Sequence, residues 1–388
     1  MNVKNSRKVI IFGAGQKGRQ ILDIYGHERV ACFADNNRAG EQIEGLKVIS
    51  MTELVKIWKS YRVIVAVGYC NTALEIGELL RGYGIQFEFS FVLSNCMHVY
   101  YMDKEWHYDI DELACYWSRD RLTKGTVPML KDTLDRFGDG FINRDFYVYG
   151  GDYATEADEC RRLLGIDRIF AYSTLWVLKD KVYAVPDYKF YLSGFFGTEE
   201  VEDCDASFEG LRKSGMKPWK KDMAFWGGNL MNSQARYSLN VLAEEHPDKI
   251  FIAKYYNSGT GYESGRENLI RISEFSNYKY LIDIRGFGWT DRVKLLLAMG
   301  RPLLMVERPF IEYYFDRLVP MTHYVPIKED LSDLIDKIDY LDMNPDTYNY
   351  IVQNALKFTI ENFKKEMVLE DMCRIINQPV EQADSGES

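Results

Sequence analysis

The chain has 388 residues, 46% of them hydrophobic, which exceeds what one core usually encloses, so two or three lobes of roughly 100–200 residues are expected. Its 48 basic and 58 acidic side chains leave a formal net charge of −10, a field that repels phosphate backbones and argues against a nucleic-acid partner. No apolar run approaches the roughly 20 residues that cross a bilayer, and Met1–Ser6 lead straight into a strand-like run. Neither a transmembrane segment nor a signal peptide is therefore expected. The expected location is the cytoplasm, with peripheral association at the inner face of the membrane compatible with it. Seven cysteines are scattered without a C-x-x-C pair or a histidine at metal-ligand spacing, and are read as reduced thiols.

In chain order, the apolar run Lys8–Phe12 is followed by Gly13-Ala14-Gly15-Gln16-Lys17-Gly18 and an amphipathic segment from Arg19 to Tyr25, the order strand, glycine turn, helix. A second run, Val30–Phe33, ends near Asp35. Thr52–Lys59 and Asn71–Tyr83 then read as helices, with Val63–Val67 and Phe87–Val92 as strands. Alternating strands and helices imply a parallel sheet, so the fold class is α/β and residues 1–93 form a Rossmann-like domain. From Ser94 to Gly140 the pattern is less regular, with Trp106–Tyr108 and the basic segment Arg119–Lys124 suggesting loops and short helices without an assigned role.

Alternation resumes with the strands Phe146–Tyr149, Arg168–Tyr172 and Lys181–Val185, the first running into Gly150-Gly151-Asp152. Residues 94–215 are expected to form a further lobe, bounded by the polar stretch Glu199–Lys217. Beyond it lie strands at Met223–Trp226, Ile250–Tyr255, Lys279–Ile284 and Pro302–Val306, and helices at Ser233–Glu245, Thr290–Met299, Leu331–Leu341 and Pro345–Phe363. This second Rossmann-like alternation, residues 216–376, is expected to form another lobe. The tail, 377–388, has a composition that cannot build a core and is expected to be disordered.

The pattern Gly13-x-Gly15-x-x-Gly18 follows a strand and opens a helix, and Asp35 stands about 20 residues later, the context of a dinucleotide fingerprint. Such glycines let backbone amides approach a pyrophosphate at a helix end. They serve equally well for a tight turn and close helix packing with no ligand, and both readings stay open. The segment is also similar to the small domain attached to bacterial sugar-transfer and sugar-modifying enzymes. That likeness implies a nucleotide or nucleotide-sugar more than hydride transfer, and NAD is not expected.

Four blocks then occur in order: Pro218-Trp219-Lys220-Lys221; Ala224-Phe225-Trp226-Gly227-Gly228 with Arg236; Tyr278-Lys279-Tyr280-Leu281-Ile282-Asp283-Ile284-Arg285-Gly286 with Arg292 and Lys294; and His323-Tyr324-Val325-Pro326-Ile327 with Asp330-Leu331-Ser332. Over roughly Phe146–Phe363 the chain resembles glycosyltransferase family 90, which includes Rumi-type protein O-glucosyltransferases, fungal capsule xylosyltransferases and LpsA-type lipopolysaccharide-modifying proteins. The resemblance implies a GT-B-like pair of Rossmann-like lobes, a donor held mainly by the second lobe, and inversion at the anomeric carbon without a metal or other cofactor.

Read physically, Arg285-Gly286-Phe287-Gly288-Trp289-Thr290 leaves a strand and opens the expected helix bearing Arg292. Backbone amides, helix dipole and guanidinium would converge on a diphosphate there. A surface ion pair is the alternative for Arg292. Arg236 is assigned a second phosphate contact or a structural role, and His323 a donor contact or a structural one. Trp226 and Gly228 depart from the family, whose Rumi-type members carry arginine and serine after the phenylalanine.

Phe146-Tyr147-Val148-Tyr149-Gly150-Gly151-Asp152-Tyr153 resembles the block that supplies the base, and an aspartate is ionised at neutral pH and can take a hydroxyl proton. Asp152 is the candidate base, with a turn aspartate as the alternative. Tyr153 and Asp187, the latter in Val185-Pro186-Asp187-Tyr188, are expected on the acceptor side, Asp187 as the fallback base. Asp109-Ile110-Asp111 and Asp203-Cys204-Asp205 are read as solvated acidic turns, because neither follows an apolar strand that would present both carboxylates to a metal.

The resulting expectation is transfer of glucose or xylose from a UDP-sugar to a hydroxyl of a glycan or lipid-linked acceptor in lipopolysaccharide or capsule synthesis. An NAD-dependent sugar-nucleotide-modifying enzyme and a non-catalytic nucleotide-sugar-binding module are the alternatives.

Overall fold

A computed structural model of the chain describes residues 7–67, 70–89, 95–110, 114, 116–191, 204–230, 233–254, 270–286 and 288–379. Gly68, the end of the expected strand 87–92 beyond residue 89, Asp111, the start of the polar stretch at 199–203, Tyr255, Phe287 and the tail from residue 380 lie outside the described residues. The chain divides into two compact units. One comprises 1–119, 147–151 and 155–169, the other 120–146, 152–154 and 170–388.

In the first unit, strands β1 (Val9–Phe12), β2 (Val30–Ala34), β3 (Gln42–Ile43), β4 (Leu46–Ile49), β5 (Arg62–Val65) and β6 (Phe87–Phe89) form a sheet in the order β3-β4-β2-β1-β5-β6. All neighbours are parallel except β3 and β4. Every residue of β1 is buried, as a parallel strand covered on both faces requires, and Val9, Ile11, Ala14, Ile21, Phe33 and Ile64 share one core. Helix α1 (Gln16–Tyr25) follows the glycine turn, α2 (Met51–Ile57) is started by a capping box between Ser50 and Glu53, and α3 (Cys70–Gly82) leads towards β6.

The irregular region expected after Ser94 begins instead with an antiparallel hairpin, β7 (Cys96–Met102) and β8 (Glu105–Ile110). Its two turn residues, Asp103 and Lys104, both have positive φ, 53° and 68°, as a two-residue hairpin turn demands. Asp103-Lys104 carries no glycine, so nothing in the local sequence marks a hairpin there. Helix α4 (Tyr116–Asp120) follows, running into a π-helical stretch, Arg121–Thr126, and then α5 (Val127–Phe137). Strand β9 (Asp145–Tyr149) neighbours β7, and α6 (Ala154–Leu164) comes after it. A boundary at residue 93 therefore falls inside the first unit.

The second unit contains β10 (Ile169–Ala171), β11 (Thr174–Leu175), β12 (Val182–Ala184) and α7 (Cys204–Gly215). Then come β13 (Lys221–Gly228), α8 (Gln234–Glu245), β14 (Ile250–Lys254), β15 (Tyr278–Asp283), α9 (Val293–Leu297), β16 (Leu303–Val306), β17 (Phe310–Ile311) and β18 (Val325–Ile327). Helices α10 (Leu334–Met343), α11 (Pro345–Asn362) and α12 (Lys365–Ile376) end the described chain. The sheet order is β14-β13-β15-β16-β18, every pair parallel. The α/β class expected from the sequence is what the structure shows, with Rossmann-like alternation at both ends of the chain.

One more expected boundary changes here. The polar stretch proposed as a lobe boundary contains helix α7, which buries Phe208, Leu211 and Gly215, so the boundary at 215 falls inside the second unit. A Cβ on Gly215 would come within 2.2 Å of the Met299 carbonyl oxygen, a close backbone approach that this glycine makes possible. Arg301 ties the same junction together, donating to the carbonyls of Gly215, Lys217, Ser276 and Tyr278. It is a structural arginine, consumed by backbone at the start of β15.

Cys32, Cys96, Cys160, Cys204 and Cys373 are thiols, in no disulfide among the described residues. Among the described residues no helix is long and apolar enough to cross a membrane.

Candidate active site

Open parallel sheets bind ligands beyond the carboxyl ends of their strands. In the second unit β13 ends at Gly228, β15 at Asp283 and β16 at Val306, and the functional side chains gather on the residues that follow. Asp283 is fully buried. It accepts hydrogen bonds from Thr290 Oγ1 (2.8 Å) and Arg292 Nε (2.8 Å), and it pairs with Arg308 Nη1. Burial alone would raise its pKa, but the charges of Arg308 and Arg292 outweigh it and hold the carboxyl far below the usual range. Arg308 also donates to the Asp283 carbonyl (3.0 Å), and Arg292 Nη1 to the Gly227 carbonyl (2.6 Å).

Arg236 reaches the same end of the sheet from α8. Its guanidinium donates to the carbonyls of Arg285 (3.0 Å) and Asn229 (3.1 Å). Burial, then repulsion from Arg292 and Arg308, lowers its pKa to about 10. Trp226, fully buried at the end of β13, carries the guanidinium carbons of Arg236 and Arg292 at 5.3 Å and 5.6 Å from its ring centroid. Gly228 makes room for that ring, since a Cβ there would lie 2.7 Å from Trp226 Cζ2. The departure from the family pattern at 226 and 228 is thus one coupled packing solution. Trp226 Nε1, Arg285 Nε and Arg292 Nη2 are buried donors without a hydrogen-bond partner among the described residues. Unsatisfied buried donors are rare and costly in native proteins.

The local geometry corrects two of the sequence expectations. The helix after the loop is five residues, with Arg292 at its N-cap, while Thr290 Oγ1 donates to Asp283 and accepts from Arg308 Nη1 (3.1 Å). A helix that short contributes little dipole. Arg292 and Arg285 are also not free cations: Arg292 is anchored on Asp283, and Arg285 Nη2 lies 3.3 Å from Glu329. Gly286 is buried in the same loop.

Asp152 approaches this loop directly. A Cβ added to Gly288 would lie 2.5 Å from the Asp152 carbonyl oxygen, so only glycine lets the two backbones pass. The Asp152 side chain is 34% exposed and accepts a 2.6 Å hydrogen bond from Arg121 Nη1. Tyr153 beside it is half-buried.

Asp187 is placed differently from the expected acceptor-side base. Its side chain is 2% exposed; Oδ2 pairs with Lys294 Nζ and Oδ1 accepts from the Lys189 amide at 2.8 Å. Both oxygens are committed to a buried network that also holds Asp291, which accepts from Tyr188 OH (2.9 Å) and pairs with Lys189 (2.9 Å). Glu312, 3.8 Å from Lys294, has its pKa pushed up to about 8 by burial. His323 likewise faces inward: Nδ1 accepts from the Val319 amide (2.9 Å) and the ring lies against Phe358, so it closes its own turn.

In the first unit the glycine turn is built as the sequence suggests. Gly13 has φ +111°, Gly15 is the N-cap of α1 without a side-chain cap, and a Cβ on Gly18 would meet the Gly13 carbonyl at 2.0 Å. Asp35, however, accepts from the amides of Ala14 and Asn37, each at 3.0 Å, and Arg38 donates to the Ala14 carbonyl. The Asp35 carboxylate thus braces the glycine turn itself. Of the acidic pairs, Asp109 accepts from Tyr100 OH and Asp205 from the Lys365 amide; Asp203 and Asp111 lie outside the described residues.

Asp283, Arg308 and Arg121 were not singled out from the sequence. Asp283 carried a usable signal, an acidic residue ending the apolar run Tyr280–Ile282; Arg308 and Arg121 carried none, being ordinary arginines far from the motifs they serve.

Residues 147–381 match Glycosyl transferase family 90, and the chain belongs to that family. Residues 8–78 match the PglD N-terminal domain. Among curated proteins, the rat (Rattus norvegicus) Protein O-glucosyltransferase 1 is 27% identical over 165 residues, covering 40% of this chain and 41% of the relative. Rat Protein O-glucosyltransferase 3 is 29% identical over 139 residues, 35% of this chain and 27% of the relative. The chain spans about two fifths or less of the length of these relatives. Among solved structures, Anabaena HepE in complex with UDP and glucose covers 96% of this chain and 100% of its own, at 9% identity and a TM-score of 0.38, too distant to carry an argument.

Proposed function

We propose that the chain transfers a sugar, glucose or xylose, from a UDP-sugar to a hydroxyl of a cell-surface glycan precursor, with inversion and without a metal. The observation that carries this reading is the contact of Gly288 with Asp152, which brings a half-exposed carboxylate against the loop that leaves β15. Asp152 takes the proton of the acceptor hydroxyl as its oxygen attacks the anomeric carbon; the bond from that carbon to the diphosphate oxygen breaks, and UDP leaves with the electron pair. Arg236, Arg292 and Arg308 surround the carboxyl ends of β13, β15 and β16, and the unpartnered Arg292 Nη2 and Trp226 Nε1 are donors that a diphosphate could satisfy. Fixed guanidinium groups supply the positive charge that a divalent cation supplies elsewhere. The acceptor class, lipopolysaccharide or capsule, follows from the family resemblance alone. NAD chemistry has less support, since Asp35 is held by backbone amides of its own turn.

The test is turnover of UDP-glucose and UDP-xylose by the full chain in the presence of glycan acceptors, with NAD binding measured alongside. Release of UDP with a new glycoside of inverted configuration is expected. Binding of NAD with no affinity for any UDP-sugar would overturn the reading.

A further inference from the structure

The residue that holds Asp152 comes from outside the family-matched segment. Arg121 stands at the start of the π-helical stretch Arg121–Thr126, whereas the match begins at residue 147. π-Helical turns are uncommon and cluster at functional sites. Here the wider turn lets Gly125 abut Tyr188, where a Cβ would lie 2.5 Å from Tyr188 Cβ, and lets Thr126 Oγ1 meet Tyr172 OH at 2.8 Å. The Arg121 side chain is 11% exposed, and its guanidinium carbon lies 5.0 Å from the Tyr188 ring centroid. Asp152 and Asp291 are among the carboxylates near it. Asp291 pairs with Lys189 and accepts from Tyr188 OH, whereas Asp152 accepts from Arg121 Nη1 directly, at 2.6 Å.

We propose that Arg121 is the positioning residue for Asp152: its guanidinium, locked over Tyr188 by the π-helical turn, fixes the direction in which the Asp152 carboxylate meets the acceptor hydroxyl. This rests on the reading of Asp152 as the base. A planar guanidinium donates along fixed directions, which a flexible ammonium does not reproduce. Misplacing a catalytic group by about 1 Å costs on the order of 10²-fold in rate. Truncating Arg121 therefore acts on kcat and leaves donor affinity in place.

The test is a double-mutant cycle on the full chain with Arg121→Ala, Asp152→Asn and both together, reading single-turnover transfer from UDP-glucose, UDP-glucose affinity by calorimetry, and melting temperature. Arg121→Ala is expected to lower the rate about 10–100-fold with donor affinity within about twofold of the parent. The double variant should be no slower than Asp152→Asn alone. Methylguanidinium should restore rate to Arg121→Ala only while Asp152 is present. Where Arg121→Ala does not fold, Arg121→Lys keeps the charge and loses the fork, and is expected to show the same split at smaller size. Additive losses, absence of rescue, or a fall in donor affinity equal to the fall in rate overturns the proposal. If Asp152→Asn itself leaves the rate unchanged, it is the assignment of Asp152 as base that fails, and the positioning role falls with it.

Discussion

Thr290 donates its hydroxyl to Asp283 across 2.8 Å and accepts from Arg308 Nη1 at 3.1 Å, so it belongs to the cation cluster, while Arg292 stands at the N-cap of α9. The carboxylate at the end of β15 thus organises the loop after it, and Arg292 and Arg308 are drawn to the same two oxygens. Asp283 is the keystone of the cation cluster, and it needs no contact with substrate to matter. Replacing it with asparagine leaves two guanidinium groups without their buried counter-charge, a change that typically costs about 3–5 kcal/mol. Urea unfolding of Asp283→Asn should report a loss of that order. An unchanged midpoint would mean the cluster is held by backbone carbonyls alone.

The same carboxyl sets an acid limit. Its folded pKa lies below that of the unfolded chain, so the unfolded state binds more protons at low pH. The contribution is present above the unfolded value of about 4 and is lost as pH falls through the depressed folded value. Stability measured from pH 5 down to pH 2 should fall less steeply for Asp283→Asn than for the parent.

Arg292 bridges Asp283 and the Gly227 carbonyl and leaves Nη2 unpartnered. Arg292→Ala should weaken UDP-sugar binding and slow turnover, each by roughly 1.5–3 kcal/mol, the value of a charged hydrogen bond. Calorimetry with UDP alone separates this from a sugar contact: the loss should appear in full with UDP.

Asp152→Asn should keep donor affinity while kcat falls by about 10²-fold or more, the scale of lost general-base catalysis. Gly288→Ala should follow the same direction, because its Cβ displaces the Asp152 backbone. Donor affinity abolished by Asp152→Asn and intact in Arg292→Ala would reverse both roles. Turnover should also survive EDTA; activity lost on chelation and restored by metal would show that the guanidinium groups do not suffice.

Glu156 provides a pH signature in the first unit. Burial raises its pKa to about 8, and Oε1 has no hydrogen-bond partner. In the unfolded chain it ionises near 4.3. Between these values the folded state holds the extra proton, so stability falls as pH rises from about 4.5 to 8. Glu156→Gln should raise the melting temperature at pH 8 relative to the parent and change it little at pH 5. An equal shift at both pH values would point to packing.

The alternation of apolar runs and amphipathic segments located both parallel sheets, because a strand buried on both faces is written in consecutive residues such as Val9–Phe12 and Leu303–Val306. The glycines 13, 15 and 18 were legible for the same reason, since φ and close approach act on the residue itself. The order of the family blocks identified the candidate Asp152 and Arg292. Contacts between distant segments decided the rest. Asp187 reads like an exposed strand-end carboxylate, and only folding reveals Lys294, 107 residues later, beneath it. The hairpin at Asp103-Lys104 uses positive φ without glycine, and Arg121 lies in a segment whose composition marks only a basic turn. Its pairing with Asp152 spans 31 residues, and no local periodicity or propensity records a partnership made by tertiary packing.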